Sequence, residues 1–298
     1  MIIMDFEVIS EENKPLEEKE FNNKEEEIKF LKKQLEETEN KLNDLKRNLE
    51  QRVIERTVEV KRLLLHKTKF IDNLSHDLGT PLTPMLALLP VIKQNLTDEK
   101  LKDMATTCIR NAEYIKRVVR NAQELADLGT TDLYLKKEKL FDIINELYDK
   151  YEVVFKSCNI IFKNNIPENI YVKTEKSRLY EVFDHVTSNA VNSMLDGGGK
   201  LEIDAKNVMK KTGPFIEIII RDSGIGLESE QVRHIFDEFY KADDARHKLD
   251  STGLGLSICK TIVEKHGGKI WAASDGKDKG TIIHFTIPSD KFEASRSF

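Results

Sequence analysis

The chain has 298 residues, 39% of them hydrophobic and 33% charged, and a net charge of −5. That length accommodates about two domains, and an acidic balance without a basic, aromatic-interleaved stripe excludes a nucleic-acid binder. Cys108, Cys158 and Cys259 form no CxxC pair and no metal spacing, so they read as small core residues in a reducing compartment.

No apolar run reaches the length of a membrane span, and Met1 to Met4 is too short for a signal sequence. A cytoplasmic location is expected, either alone or as the cytoplasmic part of a longer membrane-bound sensor. Residues 1–23 are polar, acid-rich and without period, a flexible lead-in. Over 24–66 Ile28, Leu31, Leu35, Leu42, Leu45 and Leu49 hold a heptad seam with Thr38 as its polar member, which predicts a parallel dimeric coiled coil. The seam then shifts phase to Val53, Thr57, Val60 and Leu64. Such a break locally unwinds a coiled coil, as a tolerated irregularity or as a place where helix rotation carries a signal.

A helical hairpin is predicted over 67–130. Its first helix carries Ile71, Leu74 and Leu78 on one stripe, with His76 pointing away from it toward solvent. Pro81, Pro84 and Pro90 follow, so a bend is expected just past the histidine. A turn comes near Asn95, with Thr97 or Asp98 as N-cap. The second helix places Leu101, Met104, Cys108, Ala112, Ile115, Val119, Ala122 and Leu125 on one face and ends at Gly129 to Thr131. Two such apolar stripes need a second copy to be buried, in a dimeric four-helix bundle.

Strands and helices alternate over 131–290, before a short tail at 291–298. Strands are expected at Leu133 to Leu140, Ile160 to Phe162 and Ile170 to Lys173, with helices at Phe141 to Phe155 and Ser177 to Leu195. A hairpin of Leu201 to Val208 with Phe215 to Arg221 follows, then a helix from Gly255 and strands at Lys269 to Ala273 and Thr281 to Ile287. The fold class is therefore a coiled coil leading into a four-helix bundle, then an α+β sandwich with helices on one side of a mostly antiparallel sheet.

Four stretches of this second domain share a chemistry. Asp222, at a strand end before Gly224 and Gly226, can accept a hydrogen bond from an exocyclic amine such as that of adenine. Thr252 to Leu256 opens a helix with Gly253 and Gly255, where backbone N–H groups suit phosphate oxygens. Asn189 offers an uncharged oxygen ligand for Mg²⁺. Phe236 to Tyr240 precedes a polar span from Lys241 to Lys248, long enough to be a lid. Taken singly, each stretch has a plainer reading as a turn, a solvated residue or a hydrophobic anchor.

In this order, and together with His76, the stretches resemble a sensor histidine kinase of two-component signalling, from about residue 50 to 288. The resemblance makes Phe70 to Met85 the H-box, the Asn189 helix the N-box, and Asp222 to Leu227 the first glycine box. Ile235 to Tyr240 is then the F-box and Thr252 to Leu256 the second glycine box, with Lys265 to Trp271 and Gly280–Thr281 closing the pattern. It implies a dimeric phosphotransfer hairpin and an ATP-binding domain of the Bergerat type. His76 would be phosphorylated from Mg²⁺-ATP, Asp77 would orient it and take its proton, and the phosphoryl group would pass to an aspartate of a response regulator. Thr80 matches the phosphatase position. Asn189 would hold the metal and Asp222 the adenine. His185, Asn192, Gly224, Gly226, Lys241, Thr252, Gly253, Leu254, Gly255, Leu256 and Thr281 would contact the nucleotide.

Four positions depart from the family pattern: Gly79 for a common Arg, Glu181 for Gln, His185 for Asn, and Asn192 for a Lys or Arg. Lys241, Arg246 or Lys248 would compensate for the last. The alternative reading is a catalytically weak pseudokinase or scaffold of such a pathway.

Overall fold

The computed structural model describes residues 24–195, 197–241 and 251–289. The lead-in, the tail, Arg246, Lys248 and the lid beyond Lys241 lie outside the described residues. Residues up to Arg62 form one unit and those from Leu63 onward another.

In the first unit, helix α1 (Lys24–Asn95) opens with Glu25, Glu26 and Glu27, acids that favour the positive end of the helix dipole. The seam residues Ile28, Leu31, Leu35, Leu42, Leu45 and Leu49 are exposed in the single chain. Thr38 turns its hydroxyl onto its own helix, donating to the carbonyl oxygens of Gln34 (2.9 Å) and Leu35 (2.8 Å).

In the second unit α1 continues through Pro81, Pro84 and Pro90 to Asn95, so the prolines do not end the helix. Each removes one N–H donor from the helix ladder. Leu82, buried among them, anchors this stretch by packing. The chain reverses only at Leu96 to Asp98. Of the two cap candidates Asp98 serves, its Oδ1 accepting from Lys100 N (2.8 Å) and Leu101 N (3.3 Å). Helix α2 (Glu99–Thr130) then runs back along α1 and buries Ala105, Ala112, Ala126 and Leu128. Thr68 Oγ1 donates to Ala126 O (3.4 Å) and Gln123 Nε2 to Asp72 Oδ1 (3.3 Å) across the hairpin. Leu74, Leu78, Met85, Leu88, Ile92, Leu101, Met104 and Ile115 stay exposed within one chain.

Beyond the hairpin come β1 (Lys136–Lys139), α3 (Leu140–Ser157), β2 (Ile160–Asn164), β3 (Tyr171–Thr174) and α4 (Lys176–Met194). They are followed by β4 (Gly199–Lys210), β5 (Gly213–Asp222), α5 (Ser229–His234), α6 (Gly255–Lys265), β6 (Ile270–Ala273) and β7 (Thr281–Pro288). The main sheet has the order β2-β4-β5-β7-β6. Its β2–β4 pair is parallel and the others antiparallel. Strands β1 and β3 make a separate antiparallel ribbon, so the first expected strand is shorter than its hydrophobic pattern and sits outside the main sheet. Short α5 was not expected. It has only six residues and stands on a capping box in which Glu228 and Gln231 satisfy each other's backbone N–H groups.

Period-2 side chains Leu201, Ile203, Ile218, Ile220, Ile283 and Phe285 meet Ile143, Leu147, Leu179, Phe183, Ile258 and Ile262 of α3, α4 and α6 in one core. Phe183 is fully buried and packs edge-on against Phe285 at 5.5 Å between ring centres. His266, past the end of α6, is buried and fully bonded: Nδ1 faces Ile262 O (2.7 Å), Nε2 faces Thr174 Oγ1 (2.9 Å), and Glu175 N–H donates to Nε2 (3.3 Å). A carbonyl at Nδ1 requires the proton there, so Nε2 is the acceptor and the ring is neutral. Burial pushes its pKa down.

Phe183→Ala is expected to cost about 3–5 kcal/mol, read as a lower urea midpoint for this domain. The depressed histidine makes stability fall with acid, because the unfolded chain binds a proton that the fold refuses. That loss sets in as pH drops below about 6.5, the ordinary histidine value. Urea midpoints at pH 7.5 and 5.5 should show it, and the difference should shrink in His266→Gln.

Candidate active site

The first part of the site is on α1. His76 lies on the exposed face, its side chain 83% accessible, and Nδ1 is 3.4 Å from Asp77 Oδ1. A carboxylate at Nδ1 favours the tautomer protonated there and leaves the Nε2 lone pair open to an electrophile. One turn on, the Thr80 hydroxyl donates to His76 O (2.9 Å), and the Thr83 hydroxyl repeats the pattern onto Gly79 O (2.9 Å). Gly79 itself is open, with nothing near the position of a Cβ.

The second part is a cavity of about 270 Å³ between α4 and the ends of β5 and β7. Its wall includes Asn189, Asn192, Asp222, Gly226, Lys241 and Thr281, all expected from the sequence, together with Leu256. Asp222 ends β5, and its Oδ1 accepts from Gly224 N (2.9 Å), Thr281 N (3.3 Å) and Ser193 Oγ (3.4 Å). Burial pushes this carboxyl up from its ordinary value while those donors pull it back. The three bonds fall on one oxygen, so Oδ2 keeps acceptor capacity for a ligand amine. Gly226 has φ 66°, and a Cβ there would lie 2.1 Å from Gly276 O. No other residue fits without moving that backbone.

The remaining expected residues sit around the cavity and not in its wall. Gly253, at φ 72°, lies against the backbone of Phe239, while Leu254 is fully buried at the start of α6 and Gly255 follows it. Thr252 is buried, its Oγ1 accepting from Leu254 N (3.3 Å) and from Asn121 Nδ2 of α2 (2.9 Å). His185 is the exception among the N-box residues. It is absent from the cavity wall, and its Nε2 is 3.7 Å from Glu181 Oε1. One helical turn separates 185 from 181 and 189, but Glu181 gives the ring a charged partner away from the cavity.

Helix α2 was not expected to reach this domain, yet three of its side chains do. Tyr114 accepts a hydrogen bond from Lys241 Nζ (3.2 Å), which also lies 5.1 Å from the ring centre. Asn121 holds Thr252, and Glu124 pairs with Arg178 of α4 (2.9 Å). Lys67 of α1 adds a pair with Glu238 (3.5 Å), and Lys265 Nζ bonds Thr131 O. Nothing in the period of α2 marks these residues, because their partners are far along the chain. Ser193 was also missed; lying four residues beyond Asn189 on α4, it was within reach of helical spacing.

Among the hard oxygen donors of the cavity wall is the Asn189 amide. That suits Mg²⁺ only as one ligand of several, with the rest from phosphates and water. Glu124, Glu181 and His185 also converge, but the Arg178 guanidinium already bridges the two carboxylates, at 2.9 and 3.0 Å.

Two family profiles match. "His Kinase A (phospho-acceptor) domain" covers residues 66–131, and "Histidine kinase-, DNA gyrase B-, and HSP90-like ATPase" covers 174–291. The chain belongs to the histidine kinase family. It is similar to sensor histidine kinase WalK of Bacillus subtilis (strain 168), 31% identical over 245 residues, spanning 79% of this chain and 39% of that protein. It is also similar to sensor protein kinase WalK of Staphylococcus aureus, 32% identical over 250 residues, spanning 81% of this chain and 58% of that one. The chain thus matches about half or less of these relatives' length. Among solved structures, full-length ShkA in complex with AMPPNP has TM-score 0.59 and 18% identity, over 75% of this chain and 46% of that one. Histidine kinase ThkA in complex with response regulator protein TrrA has TM-score 0.53 and 23% identity, over 74% and 61%. These two likenesses concern the fold. Among the described residues no helix is long and apolar enough to cross a membrane.

Within this histidine kinase fold Gly226 leaves no room for a side chain at the cavity wall, because the atom a Cβ would meet is backbone. Gly226→Ala should weaken binding of a fluorescent adenine nucleotide at least tenfold while leaving far-UV circular dichroism unchanged.

Proposed function

We propose that this chain is an ATP-dependent protein histidine kinase that phosphorylates His76 and passes the phosphoryl group to an aspartate of a response regulator. The observation that carries the proposal is the exposed His76 ring with Asp77 at Nδ1, on the same chain as a cavity built on Asp222. The adenine amine would donate to Asp222, and the glycines at 224 and 226 would let the backbone approach the base. Lys241 would leave Tyr114 for the phosphates, supplying the cation that Asn192 does not. Asn189 would hold the Mg²⁺ that accompanies ATP and neutralises phosphate charge.

Nε2 of neutral His76 attacks the γ-phosphorus. The Nε2–P bond forms as the bond from γ-phosphorus to the β–γ bridging oxygen breaks, releasing ADP. Asp77 stabilises the positive ring and accepts the Nδ1 proton. Such a transfer rests mainly on positioning and charge neutralisation. The ATP-binding domain must therefore move relative to the hairpin contacts described above.

ThkA's structure with a response regulator supports the partner class, and ShkA's with AMPPNP supports the nucleotide. The exposed stripes of both hairpin helices and of the coiled-coil segment support a homodimer. The same reading makes the chain cytoplasmic. Phosphatase action would use Thr80, whose hydroxyl must turn from His76 O to align a water. A weak or silent kinase is the second reading. It is favoured by His185 standing outside the cavity wall and by Asn192 in place of a cation.

Incubation with γ-³²P-ATP and Mg²⁺ tests the proposal. Acid-labile, alkali-stable label is expected on the protein, absent in His76→Ala and at least a hundredfold slower to appear in Asp222→Ala. Nucleotide binding without label would overturn the kinase reading in favour of the second.

A further inference from the structure

Two of the four family departures, Glu181 and His185, lie on α4 but outside the cavity wall. They face Glu124 of α2 across the contact between hairpin and ATP-binding domain. Arg178 Nη1 bridges the two acids, 2.9 Å from Glu124 Oε1 and 3.0 Å from Glu181 Oε2, and His185 Nε2 lies 3.7 Å from Glu181 Oε1. All four side chains are partly buried there, 16–27% exposed. Two carboxylates and one guanidinium leave one negative charge in excess, and removal from water makes that excess costly. A single proton shared between the acids removes it.

We propose that the Glu124–Arg178–Glu181–His185 cluster is a proton-controlled latch that holds the ATP-binding domain on its own hairpin. With Glu124 protonated, its O–H donates to the Glu181 carboxylate, Arg178 balances the remaining charge, and the domains stay docked. With Glu124 ionised, two carboxylates face one another over a single cation and the contact weakens. Docking by this face also engages Lys241 through Tyr114 and Thr252 through Asn121, groups expected to serve the nucleotide, so the latch restrains the site as well as the domain. That last consequence rests on the proposed function; the latch itself does not.

The groups facing the acids come from two elements. Helix α4 supplies Arg178, Glu181 and His185, and α6 supplies the buried Cys259 thiol, which burial pushes up and so keeps neutral. Asp184 is turned to Lys150 and Tyr151 instead. Burial, reinforced by Glu181, pushes Glu124 up to about 7. Glu181 moves the other way despite its burial, because His185, Glu124 and Arg178 all stabilise its ionised form. The proton therefore sits on Glu124. An undocked Glu124 on an open helix has an ordinary carboxylate pKa of about 4.3. Docking thus takes up a proton between that value and about 7, and is progressively lost as pH rises through this window. The Glu181 shift acts only below it.

The test uses the full chain without nucleotide, so that its failure is separate from failure of the kinase reading. In a Cys108→Ser, Cys158→Ser background, Arg110→Cys on α2 and Lys277→Cys between β6 and β7 carry a donor–acceptor pair. One labelled protomer is diluted into unlabelled chain. The ratio of docked to undocked molecules should fall up to tenfold per pH unit from pH 5 to 7 and flatten above. Glu124→Gln, which keeps the size and hydrogen-bonding capacity of the protonated acid, should hold the ratio constant across pH 5–8. A parallel titration of the Glu124 carboxyl by ¹³C NMR should give a midpoint near neutrality in the wild-type chain. A wild-type ratio without slope, a Glu124→Gln variant with the wild-type slope, or a Glu124 midpoint in the ordinary carboxylate range would each overturn the latch.

Discussion

The Asp222 carboxylate is the pin on which the nucleotide cavity is built. In register it sits between Leu201 of β4 and Thr281 of β7, so the ends of three strands meet at one residue. Its Oδ1 draws in Gly224 N and Thr281 N, and Gly280 N in turn bonds Gly224 O (3.0 Å). The closing loop before β7 and the loop after β5 are thereby fixed to one another. A partly buried acid held by backbone donors needs no cation, so its remaining acceptor capacity is available to a base amine. The tight approach of Gly226 to Gly276 follows from the same closure. Architecture and the proposed chemistry would share one set of hydrogen bonds, since the residue that ties the loops together also lines the cavity.

The helical part obeys a different constraint: it cannot satisfy itself. The hairpin buries small residues, Ala105, Ala112 and Ala126, between its own helices, which lets them approach closely but removes little apolar surface from water. The large side chains Leu74, Leu78, Met85 and Leu88 are left outside, and the coiled-coil segment likewise exposes its whole seam. Stability of an isolated chain would therefore reside in the ATP-binding domain. A second copy is the economical cover, since the unburied stripe runs along both the coiled-coil segment and the hairpin. His76 lies off that stripe, so assembly would leave it accessible.

Much of this was legible because it is local. Strand alternation located β4 to β7 within a residue or two, the glycine spacings marked the loops after β5 and before α6, and Asp98 announced the turn of the hairpin. The seven cavity residues anticipated from the chain were those tied to a strand end, a helix face or a glycine. What was not legible is long-range. A short helix such as α5 has too few residues for a period. The β1–β3 ribbon owes its place to pairing across more than thirty residues. Tyr114, Asn121 and Glu124 carry no signal on α2, because their meaning lies in partners 54 to 131 positions away. His185 was assigned to the nucleotide because it occupies an N-box position; the structure puts its ring outside the cavity wall, between Gly255 and Glu181 one turn back.

That displacement shows how a family pattern can change use without losing its fold. On α4 one face, with Asn189, Asn192 and Ser193, lines the cavity, while Arg178, Glu181 and His185 face α2. A substitution on the first face alters what is bound, and one on the second alters how firmly the domain rests on the hairpin. Asn192 takes a positive charge from the cavity, and Lys241, the cation that could replace it, is held by Tyr114 on α2. The two faces are therefore not independent: whatever frees the domain from α2 also frees Lys241, already in the cavity wall, from Tyr114. On the proposed function, release from the hairpin and completion of the phosphate site would be one event, because a single lysine would have to serve both.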